Sequence, residues 1–509
     1  MALRTSRCIL TIAVLGTLLT VAQAQQIDAT EDSIFDEAPP SLADNLPPDA
    51  NPEDILNAQT IEAETVVPVQ PSIRSEMMPF NSRRIHLMEA LQQPLSSVSI
   101  NHNAVKLNQP QLVAEFYRRE QFPTIWTHET VPNPIIAQLQ EAIKASADDA
   151  LNPNRYHANI INYLQAGTHY QDITALEILL TDAWLSLVYD LANGIVDAKK
   201  IDRTWNAPKV SHEQLAAWLA EGINAQDVLS PIQAINAQDT AYQALKQQYI
   251  LNRDQQLKTD DLVINMERIR WMAQDWHEQR YIFVNIPSYE VTVVENDKNI
   301  YQTKAVVGRK DRATPRFVDR MRHVVMSPTW TVPPTIMRKD KLPQLIRNPA
   351  AFNGSYEAIS PGGKVVRPSD VNWSSAGTSY RLRQKPGGQN ALGRVKFLFP
   401  NEHAIYLHDT PSKGLFGRSN RALSSGCIRL QDPMDFANLL LKGSSWTPEK
   451  IKTASNQSKE QWANLQKQTP VYLVYWTTWA DPSGNIRSAK DVYELDAKLT
   501  NAYKKALVN

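Results

Sequence analysis

Two neighbouring stretches decide how this chain is read: Ile405-Tyr406-Leu407-His408-Asp409-Thr410 and Arg421-Ala422-Leu423-Ser424-Ser425-Gly426-Cys427-Ile428-Arg429-Leu430. His408 ends an apolar, strand-like run. Cys427 follows 19 residues later in a Ser-Ser-Gly turn, with Arg429 two positions beyond it. Cysteine chemistry needs a thiolate, stabilised by an imidazolium or another positive field, and a base that can carry a proton to a leaving or incoming group. A histidine at a strand end and a cysteine at a tight turn can meet across a hairpin-like excursion. Gly426 lets the backbone amides of Gly426 and Cys427 approach a developing oxyanion, while Ser424 and Ser425 shape the turn. Arg429 can neutralise a substrate carboxylate and reinforce the thiolate, or simply hold the turn by a salt bridge. Tyr406 alternates with Ile405 and Leu407, so it faces either the site or solvent. Asp409 adjoins His408, but neighbours on an extended chain point apart. No Cys-His-Asp triad is therefore assumed, and a backbone carbonyl is the alternative orienter of the imidazole.

Only one other cysteine exists, Cys8, which lies in the first of two N-terminal segments unlike the rest. Residues 1–24 have a basic start (Arg4, Arg7), an apolar run and then Ala22-Gln23-Ala24, the pattern of a cleaved secretory signal; an uncleaved inner-membrane signal anchor is the alternative. Residues 25–73 hold 11 acidic residues, no lysine or arginine and many prolines, as expected of a disordered acidic linker. Removal of the signal leaves Cys427 alone, so no internal disulfide can form. A single thiol kept in an oxidising compartment calls for a reason, either reactivity or burial as a small hydrophobe.

The remainder predicts an α+β chain. A helical scaffold is expected over residues 74–257, with its strongest apolar stripe in residues 172–191 (Leu176, Leu179, Leu180, Ala183, Leu187, Leu191), a pattern that usually marks core. A mainly β domain follows over residues 258–480, with strand-like runs at 281–286, 290–295, 301–307, 323–326, 395–398, 404–407 and 471–479. Within it, residues 336–389 are rich in Gly, Pro, Asn and Ser and too long for an ordinary loop, so an ordered insertion or lid is expected, with Gly362, Gly363, Gly387 and Gly388 as mobile ends. Residues 481–509 end the chain in a helical segment, read as helix over 489–507.

At 509 residues the chain has room for two or three folded units, and 42% hydrophobic with 21% charged residues excludes a multi-span membrane protein. Basic and acidic residues balance at 53 each, so the whole chain carries no charge footprint for nucleic acid. His403, His408, Asp409 and Cys427 are mixed potential metal ligands, but neither CxxC nor HExxH spacing occurs, and no metal or other cofactor is expected.

His408 together with Ser424-Ser425-Gly426-Cys427-Ile428-Arg429 resembles the signature of the YkuD-type L,D-transpeptidase family. Ser425 stands where the generic signature has a histidine, a departure shared with the large periplasmic YcbB-like subfamily. The resemblance extends to Asn265-Met266-Glu267-Arg268 and Thr329-Trp330-Thr331-Val332-Pro333 and covers roughly residue 74 to the C-terminus. One part of the larger relatives has no counterpart: only Asn252-Arg253-Asp254-Gln255-Gln256 stands where they insert a small peptidoglycan-binding module. The resemblance implies a periplasmic enzyme that joins peptidoglycan tetrapeptide stems, as donor and acceptor, through a cysteinyl thioester, giving 3-3 links between meso-diaminopimelate residues. It also implies Cys427 as nucleophile, His408 as proton carrier, residues 336–389 as a substrate cap, inhibition by carbapenems, and peptidoglycan synthases as possible partners; Trp330, beside Pro333-Pro334 near that cap, and Tyr406 are candidate substrate-binding residues, with core packing the alternative for both. Trimming by an L,D-carboxypeptidase or endopeptidase, and a wall-binding scaffold without catalysis, are the competing expectations.

Overall fold

A computed structural model describes residues 82–508, apart from 93–94, 101–102, 122, 128–132, 165–169, 238, 273–275, 277 and 482. The expected signal (1–24) and acidic linker (25–73) lie outside the described residues. The described chain divides into two compact units, one formed by residues 306–314 and 323–464, the other by the remaining described residues.

The larger unit is built around the 24-residue helix Tyr170–Asn193, whose stripe Leu176, Leu179, Leu180, Ala183 and Leu187 is buried in one apolar cluster. Carboxylates on the same helix fasten its surroundings. Glu177 accepts hydrogen bonds from the amides of Ile125 (2.6 Å), Trp126 and Thr127 and from the Tyr117 hydroxyl. Asp182 accepts from the amides of Asn108 and Gln109, at the start of the helix Pro110–Arg119, and contacts His157 at 2.7 Å. Buried carboxyl groups of this kind persist because their oxygens are hydrogen-bonded. A hairpin, Ser97–Ile100 with Asn103–Lys106, interrupts the stretch expected to be wholly helical.

A second cluster in this unit gathers Trp205, Tyr242, Met266, Trp271, Trp276, Tyr472 and Trp476 around the helix Asp260–Arg270. The motif Asn265-Met266-Glu267-Arg268 is structural here: Asn265 accepts from the Thr477 amide (2.9 Å) and Arg268 pairs with Asp496 (2.7 Å). Arg280–Asn285 pairs antiparallel with Glu290–Glu295 and parallel with residues 471–474. These strands group with the helices, so the compact units do not divide at residue 257. The terminal helix is Asp496–Val508, not 489–507; residues 489–495 are an irregular segment with one turn, fastened by Asp491, which accepts from the Tyr475 hydroxyl and the amides of Leu495 and Asp496.

The smaller unit holds a run of sheet in the order Ala422–Ser424, the end of Lys298–Gly308, Ile428–Leu430, Leu407–His408, Val395–Leu398 and the end of Val318–Met326. The helix Pro433–Leu440 covers one face through a Phe397–Phe436 ring contact of 4.7 Å. The expected insertion is an ordered subdomain with its own four-stranded sheet, in the order Trp330–Thr331, Arg381–Gln384, Tyr356–Ile359, Val365–Val366, over a core of Val332, Leu345, Trp373 and Leu382. It begins at Trp330 rather than 336, because Trp330 pairs in register with Gln384. Gly362 and Gly363 are not hinge points: they form the tight turn between two of its strands, where the Gly363 amide donates to the Ser360 carbonyl at 2.9 Å.

Candidate active site

Leu407–His408 runs parallel to Ile428–Leu430, with Leu407 opposite Ile428 and His408 opposite Arg429, and the Ile428 amide donates to the Tyr406 carbonyl at 3.1 Å. The excursion between them is thus a crossover and not a hairpin. It passes through the turn Lys413–Gly417 and the strand Ala422–Ser424 before returning, which a parallel pairing requires. Side chains alternate across a strand, so Tyr406 and His408 share one face with Cys427 and Arg429. The Tyr406 and His408 rings meet edge-on at 5.7 Å on that face. Of the two orientations open to Tyr406, the structure has it facing the site, largely buried.

His408 is buried, and its Nδ1–H donates to the carbonyl oxygen of Asp409. That bond selects the tautomer in which Nε2 is the proton acceptor. The Asp409 carboxylate turns away, accepting from the Arg394 amide (2.9 Å) and pairing with Lys413 (2.7 Å). Gly393, at φ +60°, leaves room for it; a Cβ there would stand 2.3 Å from Asp409 Oδ2. Burial, then the positive charges of Arg429 and Lys413, hold the His408 pKa down at about 3, against the pull of the Asp409 carbonyl.

Cys427 is partly exposed, with Sγ 3.9 Å from the Ala404 carbonyl. Burial pushes its thiol up to about 11, although the Tyr406 backbone amide, the Tyr406 hydroxyl and the charge of Arg429 all favour the thiolate. Trp330 hydrogen-bonds to the Tyr406 side chain in turn. Burial thus favours the neutral form of both the thiol and the imidazole. Arg429 contributes twice, lowering both pKa values and so opposing the imidazolium while assisting the thiolate.

The turn is held from within. Ser424 Oγ donates to the Cys427 carbonyl at 2.6 Å and accepts the Gly426 amide at 3.1 Å. The Gly426 amide is thus occupied, against the expectation that it serves an oxyanion. Gly426 itself adopts φ +120°, where a side chain would be strained. Thr314 Oγ1 donates to the Gly426 carbonyl (2.7 Å) while accepting the Gly308 amide (2.8 Å), and Arg312 donates to Ser425 Oγ at 3.2 Å. Trp330, Tyr406 and Cys427 pack into one small cluster with Val325, Leu392, Leu398 and Trp462. His403 pairs with Glu402 on the loop before the strand.

Residues 279–453 match the family model of the L,D-transpeptidase catalytic domain (YkuD), and residues 111–248 match that of a scaffold domain. A protein of Haemophilus influenzae named "Putative L,D-transpeptidase" is 30% identical over 421 residues, which cover 81% of this chain and 83% of that one. The chain belongs to the L,D-transpeptidase family. It joins an N-terminal helical scaffold domain to a mainly β YkuD domain. Among solved structures, an L,D-transpeptidase from Mycobacterium smegmatis is 14% identical, with a TM-score of 0.18 over 38% of this chain and 58% of that one. The Ldtfm–avibactam carbamoyl enzyme is 12% identical, with a TM-score of 0.20 over 40% and 51%. This chain spans little more than half of those two chains.

Several residues around this candidate site escape motif reading: Thr314, Arg312, Gly393 and Lys396. Lys396 alone left a signal, a lysine inside the otherwise apolar strand Val395–Leu398. The others act through contacts distant in sequence that no spacing rule records. Among the described residues, no group of three or more His, Cys, Asp or Glu side chains is placed to hold a metal ion.

Proposed function

We propose that this chain is a periplasmic L,D-transpeptidase of the YcbB-like kind, exported by residues 1–24, that forms 3-3 cross-links between peptidoglycan stems. The observation that carries the reading is His408, its Nδ1 bonded to the Asp409 carbonyl, on the same sheet face as Cys427 and one strand away. Cys427 Sγ attacks the carbonyl carbon of the meso-diaminopimelate at the third position of a tetrapeptide stem, while His408 Nε2 takes the thiol proton. The carbon–nitrogen bond then breaks, and the same proton leaves on the amine of the departing D-alanine. The thioester conserves the acyl energy, so no nucleotide is consumed. The side-chain amine of a second stem attacks it, and the proton it sheds returns through His408 to Sγ. The oxyanion draws on the Cys427 amide and the Tyr406 hydroxyl, with Arg429 supplying field. Trp330, hydrogen-bonded to Tyr406, lines the donor groove under the cap.

The test is product analysis of purified protein on tetrapeptide-rich wall fragments. Dimers linked through diaminopimelate are expected, together with a mass adduct of a carbapenem on Cys427 that Cys427→Ala abolishes. Trimmed stems without dimers would instead establish the hydrolytic reading, and no adduct at all the non-catalytic scaffold.

A further inference from the structure

One charged side chain on the reactive face has no part in that chemistry. Lys396 lies in the buried strand Val395–Leu398, directly opposite His408 on one neighbouring strand and Val325 on the other. His408 is in turn opposite Arg429, so a single rung of the sheet reads Val325, Lys396, His408, Arg429. Residues directly opposite across a sheet share a face, so the ammonium belongs to the face of Cys427 and Tyr406. Phe397 points the other way, onto Phe436.

Lys396 is only 4% exposed. Its Nζ stands 3.9 Å from Glu460 Oε1 and 5.6 Å from the centre of the Trp462 ring, which packs with Cys427. The first distance is too long for a hydrogen bond. That same Glu460 oxygen is already taken by the Thr329 amide (2.6 Å) and hydroxyl (2.8 Å), one residue before Trp330. Among the described residues, the ion-pair partner of Nζ is this Glu460 carboxylate, at that longer distance. A largely buried ammonium held by one long ion pair favours a closer anionic partner, and burial lowers this lysine's pKa. A carboxylate would be such a partner. The Cys427 strand is two strand spacings away, about 10 Å between backbones, a span of roughly three extended residues. A carboxylate one or two residues from the attacked carbonyl is within that reach.

We propose that Lys396 is a specificity-determining residue whose ammonium binds a carboxylate of the acyl-donor peptide, beside His408. The inference rests on the reading of Cys427 as the nucleophile toward a stem peptide. Two groups of the donor have this chemistry, the terminal D-alanine carboxylate and the side-chain carboxylate of diaminopimelate.

Calorimetric titration of the full chain carrying Cys427→Ala tests the idea without turnover. The ligands are a free tetrapeptide stem, the same stem with a terminal carboxamide, and the stem amidated on diaminopimelate. One amidation is expected to weaken binding tenfold or more, and so to name the carboxylate. Lys396→Met added to the same protein should weaken the acid stem by a similar factor and make binding indifferent to that amidation. Equal binding of all three stems, no binding of the acid stem, or losses from Lys396→Met and from amidation that simply multiply would overturn the proposal. Should Lys396→Met fail to fold, the acid-against-amide comparison in the Lys396 protein decides, with Lys396→Arg expected to keep the preference for the acid. Failure of the underlying reading shows elsewhere, as an intact Cys427 protein that binds the acid stem but never carries a thioester mass.

Discussion

Alkylation of Cys427 as a function of pH separates a neutral resting pair from a preformed ion pair. With the thiol at about 11 and the imidazole at about 3, neither group is charged between pH 5 and 9 in the empty site. At pH 7.5 a thiol at the ordinary value of 9.0 is about 3% ionised, and one near 11 only about 0.03%, a hundredfold deficit. Intrinsic nucleophilicity recovers part of it: two pKa units at a Brønsted slope of 0.4–0.5 make each thiolate about eightfold faster. The net expectation is iodoacetamide alkylation roughly tenfold slower than that of a simple thiol. More telling is the slope, a tenfold rise per pH unit from pH 6 to pH 9, whereas an ion pair would give a plateau from about pH 5 upward. Tyr406→Phe sharpens the test. It removes the hydroxyl that bonds Sγ, a charge-assisted contact worth about 1.5–3 kcal/mol, and should move the curve up by about 1–2 pH units. Mass spectrometry of the labelled peptide follows the rate, and thermal melting confirms that each sample is folded. A plateau below pH 8, or a Tyr406→Phe profile within about 0.3 unit of the parent, would refute the neutral-pair argument.

Three further outcomes follow from the contacts. Gly393→Ala combines a left-handed φ with a Cβ 2.3 Å from Asp409 Oδ2, so it should displace the residue whose carbonyl orients His408; turnover should fall at least tenfold while far-ultraviolet circular dichroism is kept. Thr314→Val strips the Gly426 carbonyl and the Gly308 amide of a buried partner, an expected loss of about 2–4 kcal/mol in denaturant unfolding that Thr314→Ser restores. Glu267, fully buried beside Arg270, is pushed by burial from 4.5 to about 7. The folded chain holds that proton where the unfolded chain releases it, so this contribution is complete below pH 4.5 and is lost as pH rises through about 7. The loss is about 3 kcal/mol, read as the difference between Glu267→Gln and parent denaturation curves across pH 4 to 8; parallel curves would count against it.

How much of this was legible in the sequence depends on whether a signal is local. The helix stripe from Leu176 to Leu187 is a period of 3.6 in apolar residues and appears as core. The placing of Cys427 and His408 on adjacent strands starts from a motif, and an ordered insertion is announced by its length and composition. Strand direction is not written locally. Parallel and antiparallel partners carry the same alternation, and only the crossover through Ala422–Ser424 distinguishes them. Charge state is less legible still, because it depends on what buries a group. The same His408 would pair with a thiolate in a wet cleft, yet Arg429 and Lys413 beside it in a dry one hold it neutral. Gly426 invited an oxyanion role by its type, but the side chain of Ser424, two residues earlier, takes its amide.

Register is the property on which the site depends most. Because side chains alternate, a slip of one residue between Leu407–His408 and Ile428–Leu430 would carry Cys427 and Arg429 to the opposite face while Tyr406 and His408 stayed where they are. Two short strands alone hold register poorly, and several contacts outside the pair oppose the slip here. Ser424 closes the turn onto the Cys427 carbonyl, Thr314 ties the Gly426 carbonyl to Gly308, and the Arg309 amide donates to the Ser424 carbonyl at 3.1 Å. On the other side, Lys396 and Phe397 pair with His408 and Leu407. The serine that departs from the generic signature belongs to this bracing, since Ser425 accepts from Arg312. Its hydroxyl thereby adds a side-chain tie that helps keep Cys427 and His408 on one face.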